Sequence, residues 1–285
     1  MARDLAEAAR AARTPAPPRR ALLLRVLPTG LYAGRARVLL ERSALANRRA
    51  WLTLLGGFFE PLFFLFALGV GFGRLVSQVT GPDGHPMSYV AFVAPALLAA
   101  SAMNGAVYDA TFNIFFKYRY AKLYDAMLAT PLGPVDIAVG EISWALLRGG
   151  TYAAGFLLVM AGGGLISSPW GLLALPVALL EAFAFAAVGM AATSYMRSWQ
   201  DFDLVQLALI PMFLFSTTFF PLSVFPRPLQ LVVECFPLYH AVEMLRGLTT
   251  GWVTPAMLGH AAYFAVMAVA GSVVAAHRFG RLLLR

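Results

Sequence analysis

Lysine is nearly missing from this 285-residue chain: Lys117 and Lys122 stand five positions apart, and there are no others. Charge of either sign is scarce, at 13% of residues, where a soluble domain carries roughly a quarter. That shortage excludes an ordinary water-soluble globule. A single cysteine, Cys235, excludes an intrachain disulfide and any multi-cysteine metal site. The four histidines (His85, His240, His260 and His277) are scattered and form no HExxH-type ligand pair. A phosphate-binding loop needs GxxxxGK[ST], and neither lysine follows a glycine. No GxSxG nucleophile turn occurs either. No catalytic residues are therefore assigned, and no metal or cofactor is expected in this chain. The N-terminus lacks the form of a signal peptide, because "ALLLRVL" is short and interrupted by Arg25.

Apolar residues are what the chain has in their place: 60% of the total, with a mean hydropathy of +0.71. Windows near the roughly 20 residues that cross a bilayer recur along it. The expected fold is an all-α polytopic membrane protein with six spans, at about 51–72, 89–116, 136–160, 170–195, 204–222 and 256–276. Trp51 would anchor the first at the interface. Residues 1–20, rich in Ala, Arg and Pro, have little to bury and are expected as a disordered tail. Within 21–50, Leu31, Val38, Leu39, Arg42 and Leu45 recur at helical spacing among arginines. This is the pattern of a basic amphipathic helix at the membrane surface, or of a plain stop-and-orient segment. After Pro221 the apolar runs shorten. "LQLVVECF" and "LYHAVEMLRGL" are too short to cross, which predicts re-entrant helices over about 226–250. Residues 278–285 form a basic tail.

A net charge of +8 first suggests nucleic acid. Its distribution favours membrane orientation, because about half of the basic residues are arginines ahead of Trp51. Six spans put both termini and two loops on one side, with about 18 of the 22 basic residues. By the positive-inside rule that side is cytoplasmic. No half-to-half repeat of the kind found in many secondary carriers is visible.

Ionisable groups at membrane depth are candidates for function. Glu60 lies about 13 Å into the first span and precedes Pro61. Asn104 and Asp109 fall in the second, Glu141 and Arg148 in the third, and Glu181 in the fourth. Glu141 and Arg148 share a helix face about 10 Å apart, so each is expected to find its partner on another span. The group either pairs helices together or lines a path; a proton relay through Glu60, Asp109, Glu141 and Glu181 would make an ion-coupled carrier. Glu234, Glu243 and Arg246 sit in the broken-helix region, where they are solvated at an interface or shape an exit.

The lysines belong to "KYRYAKLYDAMLATPLGP". On one helix over about 117–130, Tyr120, Leu123, Tyr124 and Met127 make an apolar face and Arg119, Lys122 and Asp125 another. Pro131 ends it. Such a helix rests on lipid headgroups or docks its free face on a partner, and periodicity leaves both open.

Three stretches occur in an order that resembles the membrane subunit of ABC-2 type exporters, especially the branch of NodJ-like and daunorubicin-resistance-type permeases. They are "FFEPLFFLFALGVGFG", "YAKLYDAMLATPLGPVDIAVGEISWA" and "FFPLSVFPRPLQLVVECFPLYHAVEMLRGLTTG". In the last, Cys235-Phe236 stands where that family has Asn before Pro237-Leu238. The likeness covers about residues 30–280. It implies a bacterial inner-membrane export permease, working as a homodimer with two copies of a separate ABC ATP-binding subunit that holds ATP and Mg. It implies that 117–130 is the coupling helix, with Lys117, Tyr118, Arg119, Lys122, Tyr124 and Asp125 at the contact. The 21–50 segment becomes the gate-side connecting helix, with Arg35, Arg42, Arg48 and Arg49. An outer gate would include Phe220, Glu234, Pro237, Tyr239, Glu243 and Arg246. The substrates implied are amphiphiles: lipo-oligosaccharides, lipid-linked glycans or hydrophobic drugs.

Overall fold

A computed structural model describes residues 36–47, 51–76, 78–81 and 84–283, with the backbone alone at 36, 47, 51–58 and 283. It is almost wholly helical. Helix α1 is Ala36–Asn47 and α2 is Trp51–Leu75. A two-residue hairpin, β1 (Val79–Thr80) and β2 (Pro86–Met87), interrupts the polar loop with Val79 opposite Met87. Next come α3 (Tyr89–Tyr108), a π-helical turn at Asp109–Asn113 and α4 (Ile114–Arg119), which run on as one rod of 31 residues. Then follow α5 (Leu123–Leu128), α6 (Pro134–Gly162) and α7 (Ala174–Thr193), the last entered through a 3₁₀ turn at Pro169–Leu173. The chain closes with α8 (Asp201–Phe215), α9 (Arg227–Glu234), α10 (Pro237–Thr250) and α11 (Ala256–Leu283).

Four helices among the described residues are long and apolar enough to cross a membrane: Tyr89–Arg119, Pro134–Gly162, Pro169–Thr193 and Ala256–Leu282. They coincide with the second, third, fourth and sixth expected spans. The 31-residue rod is about 46 Å long at 1.5 Å per residue. A hydrocarbon core is about 30 Å thick, so one end of the rod projects beyond it.

Two stretches differ from the sequence reading. The helix expected over 204–222 is α8, which starts at Asp201, ends at Phe215 and has 15 residues. It stops because Ser216, Thr217 and Thr218 turn the chain, with Thr217 at φ 54. A hydropathy window counts Phe219 and Phe220 as span whether or not the backbone stays helical. The single helix expected over 117–130 is instead two pieces, with the break at Lys122, φ 45. That left-handed residue turns α5 away from α4, so Tyr120 does not share a face with Tyr124.

Helix α7 is central and packs against α11, α6, α3 and α10. Small residues allow the close approach. A Cβ on Gly271 of α11 would stand 2.8 Å from the backbone of Ala187 and Val188, a contact no side chain tolerates. Helix pairs in lipid gain most from packing this close, since lipid tails remove the hydrophobic drive between them. Helix α8 packs appreciably on α10, while α2 lies on α3 and α6.

Candidate functional site: an ion-paired helix ladder and the cavity beside it

Helices α3–α4 and α6 run antiparallel, and two ion pairs connect them. Arg148 Nη1 donates to Asp109 Oδ1 at 2.6 Å, and Asn113 Nδ2 donates to the same oxygen at 3.0 Å. Lys117 Nζ donates to Glu141 Oε2 at 2.7 Å. All four side chains are nearly buried. The acid and base are eight residues apart on one strand of this ladder and seven apart on the other. The π turn between Asp109 and Lys117 reconciles the two, since it adds one residue to the rod without a matching rise. Arg148 thus pairs with a residue of the second expected span, while Glu141 pairs with Lys117, which the sequence reading placed just beyond that span in the coupling segment.

Arg148 also lines a cavity of about 950 Å³ between α2, α3, α6 and α8. Of the residues marked as path or pairing candidates, Glu60, Asn104 and Arg148 meet there, with Asp109 directly behind Arg148. Phe64, Tyr108, Phe112 and Phe213 supply aromatic wall; Asn113 and Gln206 add amides. Glu141 and Glu181 do not line it. Glu181 is fully buried on α7, and neither of its carboxylate oxygens has a hydrogen-bond partner among the described residues.

At the Lys117 end of the rod, α5 stands on the helices with one face in and one out. Tyr124 and Met127 are buried; Lys122 and Asp125 are exposed, as is Arg119 just before the break. Tyr124 packs its ring toward Phe279 of α11, as does Tyr118. Its hydroxyl faces the Glu141 carboxylate but sits outside standard hydrogen-bond geometry. Burial first, then that carboxylate, holds its ionisation well above the usual phenol range. Arg42, exposed on α1, lies close enough for its charge to act on the same hydroxyl. On α1 the buried face is Leu39, Leu40 and Ser43, with Leu39 against Gly140 of α6; Val38 and Leu45 are exposed. Arg35, Arg48 and Arg49 lie outside the described residues.

Sequence reasoning passed over an aromatic group at this end. Phe112 in the π turn contacts Tyr108, Trp199 and Phe202, and Trp199 reaches Tyr120. Arg119 Nη2 donates to the Arg197 carbonyl at 3.4 Å. Apart from the local Tyr108–Phe112 pair, these contacts bridge about eighty to ninety positions, and no local spacing announces them.

At the opposite end the residues marked for an outer gate fall into separate groups. Arg246 is buried, donating from Nε to the Phe92 carbonyl at 3.2 Å and from Nη2 to the Thr217 carbonyl at 2.7 Å. It pairs with Glu243 at 3.0 Å, and its guanidinium carbon stands 3.8 Å over the Phe92 ring. Glu234 pairs with Arg227 at 3.6 Å, Pro237 opens α10, and Phe220 is exposed. Tyr239 lies beside His240. The histidines that look scattered in the sequence include a contact pair: His240 and His260 approach through Nδ1 at 2.6 Å across the α10–α11 interface. Among the described residues no group of three or more His, Cys, Asp or Glu side chains is gathered to hold a metal ion.

Comparison with known proteins bears on the whole arrangement. Nodulation protein J of Rhizobium leguminosarum bv. trifolii is 35% identical over 222 residues, 77% of this chain and 80% of that protein. Nodulation protein J of Neorhizobium galegae is 32% identical over 238 residues, 82% of this chain and 84% of its own. Residues 35–249, which contain the ion-paired ladder, α5, the cavity and Arg246, match the family described as ABC-2 type transporter. This protein is thus a membrane transport component, and the chain belongs to the ABC-2 type transporter family.

Proposed function

We propose that this protein is the permease subunit of an ATP-driven exporter, paired with a second copy of itself and with two ABC ATP-binding subunits. The observation that carries the reading is α5: a short helix pinned by Tyr124 and Met127, with Lys122 and Asp125 exposed beside Arg119. It sits at the end of the rod where both lysines gather, so its free face is offered to a partner in the cytoplasm. Nucleotide and Mg belong to that partner, and the permease supplies the path. In this reading α2 and α8 complete six spans, both termini are cytoplasmic, and the membrane is the bacterial inner one. The α9–α10 segment, locked by Arg246, caps the outer side.

The cavity supports an amphiphile as the cargo. Ring faces of Phe64, Phe112 and Phe213 suit acyl chains and the apolar faces of sugars. Asn104, Asn113, Gln206 and Glu60 suit hydroxyl groups. That mixture favours a lipo-oligosaccharide or lipid-linked glycan over a purely hydrophobic drug. A carrier driven by ions through the buried carboxylates is less well supported: Asp109 and Glu141 are committed to ion pairs, and Glu181 lies apart.

The test is purification of the tagged full-length chain from its native membrane. An ATPase subunit bearing a Walker A loop is expected to accompany it, and Lys122→Glu with Asp125→Lys is expected to release that subunit. A chain that purifies without any ATPase, and whose transport collapses with the proton gradient while ATP persists, would overturn the reading.

A further inference from the structure

The Lys117–Glu141 pair lies outside the cavity and behind the exposed face of α5, so neither cargo contact nor docking accounts for it. Three features converge on it. The pair is short, 2.7 Å, and nearly dry, with side-chain exposures of 14% and 4%. Tyr124 covers it from α5, wholly buried, with a hydroxyl that faces Glu141 and, among the described residues, makes no hydrogen bond of standard geometry. Finally, α5 is hung between two irregular segments, the left-handed Lys122 on one side and the turn at Ala129–Gly133 on the other.

An unpartnered buried hydroxyl beside a carboxylate is an incomplete hydrogen bond, and leaving it incomplete is costly. A slight shift of α5 would complete it. Glu141 then has two arrangements, one held by Lys117 alone and one shared with Tyr124, which is the kind of two-state contact through which a local push becomes a helix movement. Glu141 belongs to α6, Lys117 to α4, and the Tyr124 ring bears on α11 through Phe279. About two turns farther along α6, about 10 Å, the same helix holds Arg148 at the cavity wall.

We infer that Lys117, Glu141 and Tyr124 form the joint through which movement of α5 enters the spans, making them positioning residues for transport. The inference rests on the exporter reading above, since it presumes that a partner moves α5.

The experiment uses the full chain with its ATPase partner in proteoliposomes, carrying Cys235→Ser and a reporter, Ser101→Cys. Ser101 is buried against the cavity, so maleimide labelling of the reporter reads opening of the path without a known cargo. With the joint unaltered, ATP plus vanadate is expected to change the labelling rate by about fivefold or more, equivalent to roughly 1 kcal/mol of population shift. Tyr124→Phe removes one oxygen and leaves the fold; Glu141→Gln removes the charge. Each is expected to reduce the nucleotide effect to less than about twofold while the ATPase still co-purifies and hydrolyses ATP. The exchange Lys117→Glu with Glu141→Lys rebuilds the ion pair but leaves Tyr124 no carboxylate to meet, so it is expected to keep the fold and the bound ATPase and still lose the nucleotide effect. Unchanged nucleotide dependence in Tyr124→Phe and Glu141→Gln overturns the inference. So does loss of the ATPase from either variant, which would make these residues part of the docking surface, or a full nucleotide effect in the exchange, which would leave the ion pair alone sufficient and Tyr124 without a part. If the unaltered protein binds no ATPase, or its labelling ignores nucleotide, the exporter reading itself fails and takes the joint with it.

Discussion

Arg246 carries a guanidinium into a site 2% exposed and uses it to hold three pieces of chain together. Its acceptors are a carbonyl on the first turn of α3, a carbonyl and hydroxyl in the turn after α8, and a carboxylate one turn back on α10. Thr217, the residue it clasps, is β-branched and sits at φ 54, a conformation such residues avoid without outside support. Lysine keeps the charge but loses the planar fork, and cannot reach acceptors on three sides. Arg246→Lys is therefore expected to lose about 2–4 kcal/mol, the scale of breaking a buried charged network. The readout is a lowered apparent melting temperature in detergent, with Glu243→Gln affected less because the backbone acceptors remain. A variant that melts with the wild type would remove Arg246 from this role. Sequence alone marked Arg246 and Glu243 but not Thr217, whose importance lies in a backbone angle. The ladder was nearer to legible: an acid and a base eight apart on one span, and another such pair seven apart on the next, oppose each other once the two helices are set antiparallel. The extra residue of the π turn hides that match.

Between elements, the decisive contacts are those that hydropathy cannot see. The spans α3, α6, α7 and α11 were legible because twenty or more apolar residues have few other places to go. The ends of α8 and α5 were not, because Ser216–Thr218 and Tyr120–Lys122 change direction inside segments whose composition stays the same. The α10–α11 contact is another such case, and it has a pH dependence. Burial, then the neighbouring His260, holds His240 down to about 4 from an ordinary 6.5. The neutral ring fits this interface and the protonated one does not. The sign follows from that depression: the stabilising contribution is fully present above the unfolded value near 6.5 and is lost as pH falls through it toward about 4. Melting of the detergent-solubilised protein between pH 7.5 and 4.5 is expected to fall more steeply for the wild type than for His240→Asn. Equal slopes would mean that the imidazole pair does not govern this interface.

The whole molecule leaves one side unfinished. Helix α8 has 15 residues, about 22 Å, and among the described residues it packs on α10 and, through the rings of Phe202 and Phe213, on Phe112, Phe115 and Phe64, while Leu204, Leu207, Ile210 and Leu214 remain exposed. Across the cavity, α2 exposes Phe59, Phe63, Phe66 and Phe72. Some exposed apolar surface belongs in lipid, but a 15-residue helix with the cavity on one flank and an exposed apolar face on the other needs a neighbour to fix its tilt. In the exporter reading that neighbour is a second copy, and the two cavities then meet along α2 and α8. The single native cysteine makes this easy to examine, since Cys235→Ser leaves a chain free of thiols. A cysteine introduced on the exposed face of α8, Leu207→Cys or Ile210→Cys, is expected to cross-link to a second copy in native membranes under mild oxidation. Controls on the outer face of α11, Val266→Cys and Val269→Cys, which are equally exposed in the single chain, are expected to remain monomeric on a non-reducing gel. Cross-linking at α11 with none at α8 would place the two copies back to back, detach the cavity from the interface, and leave each chain to carry its own path.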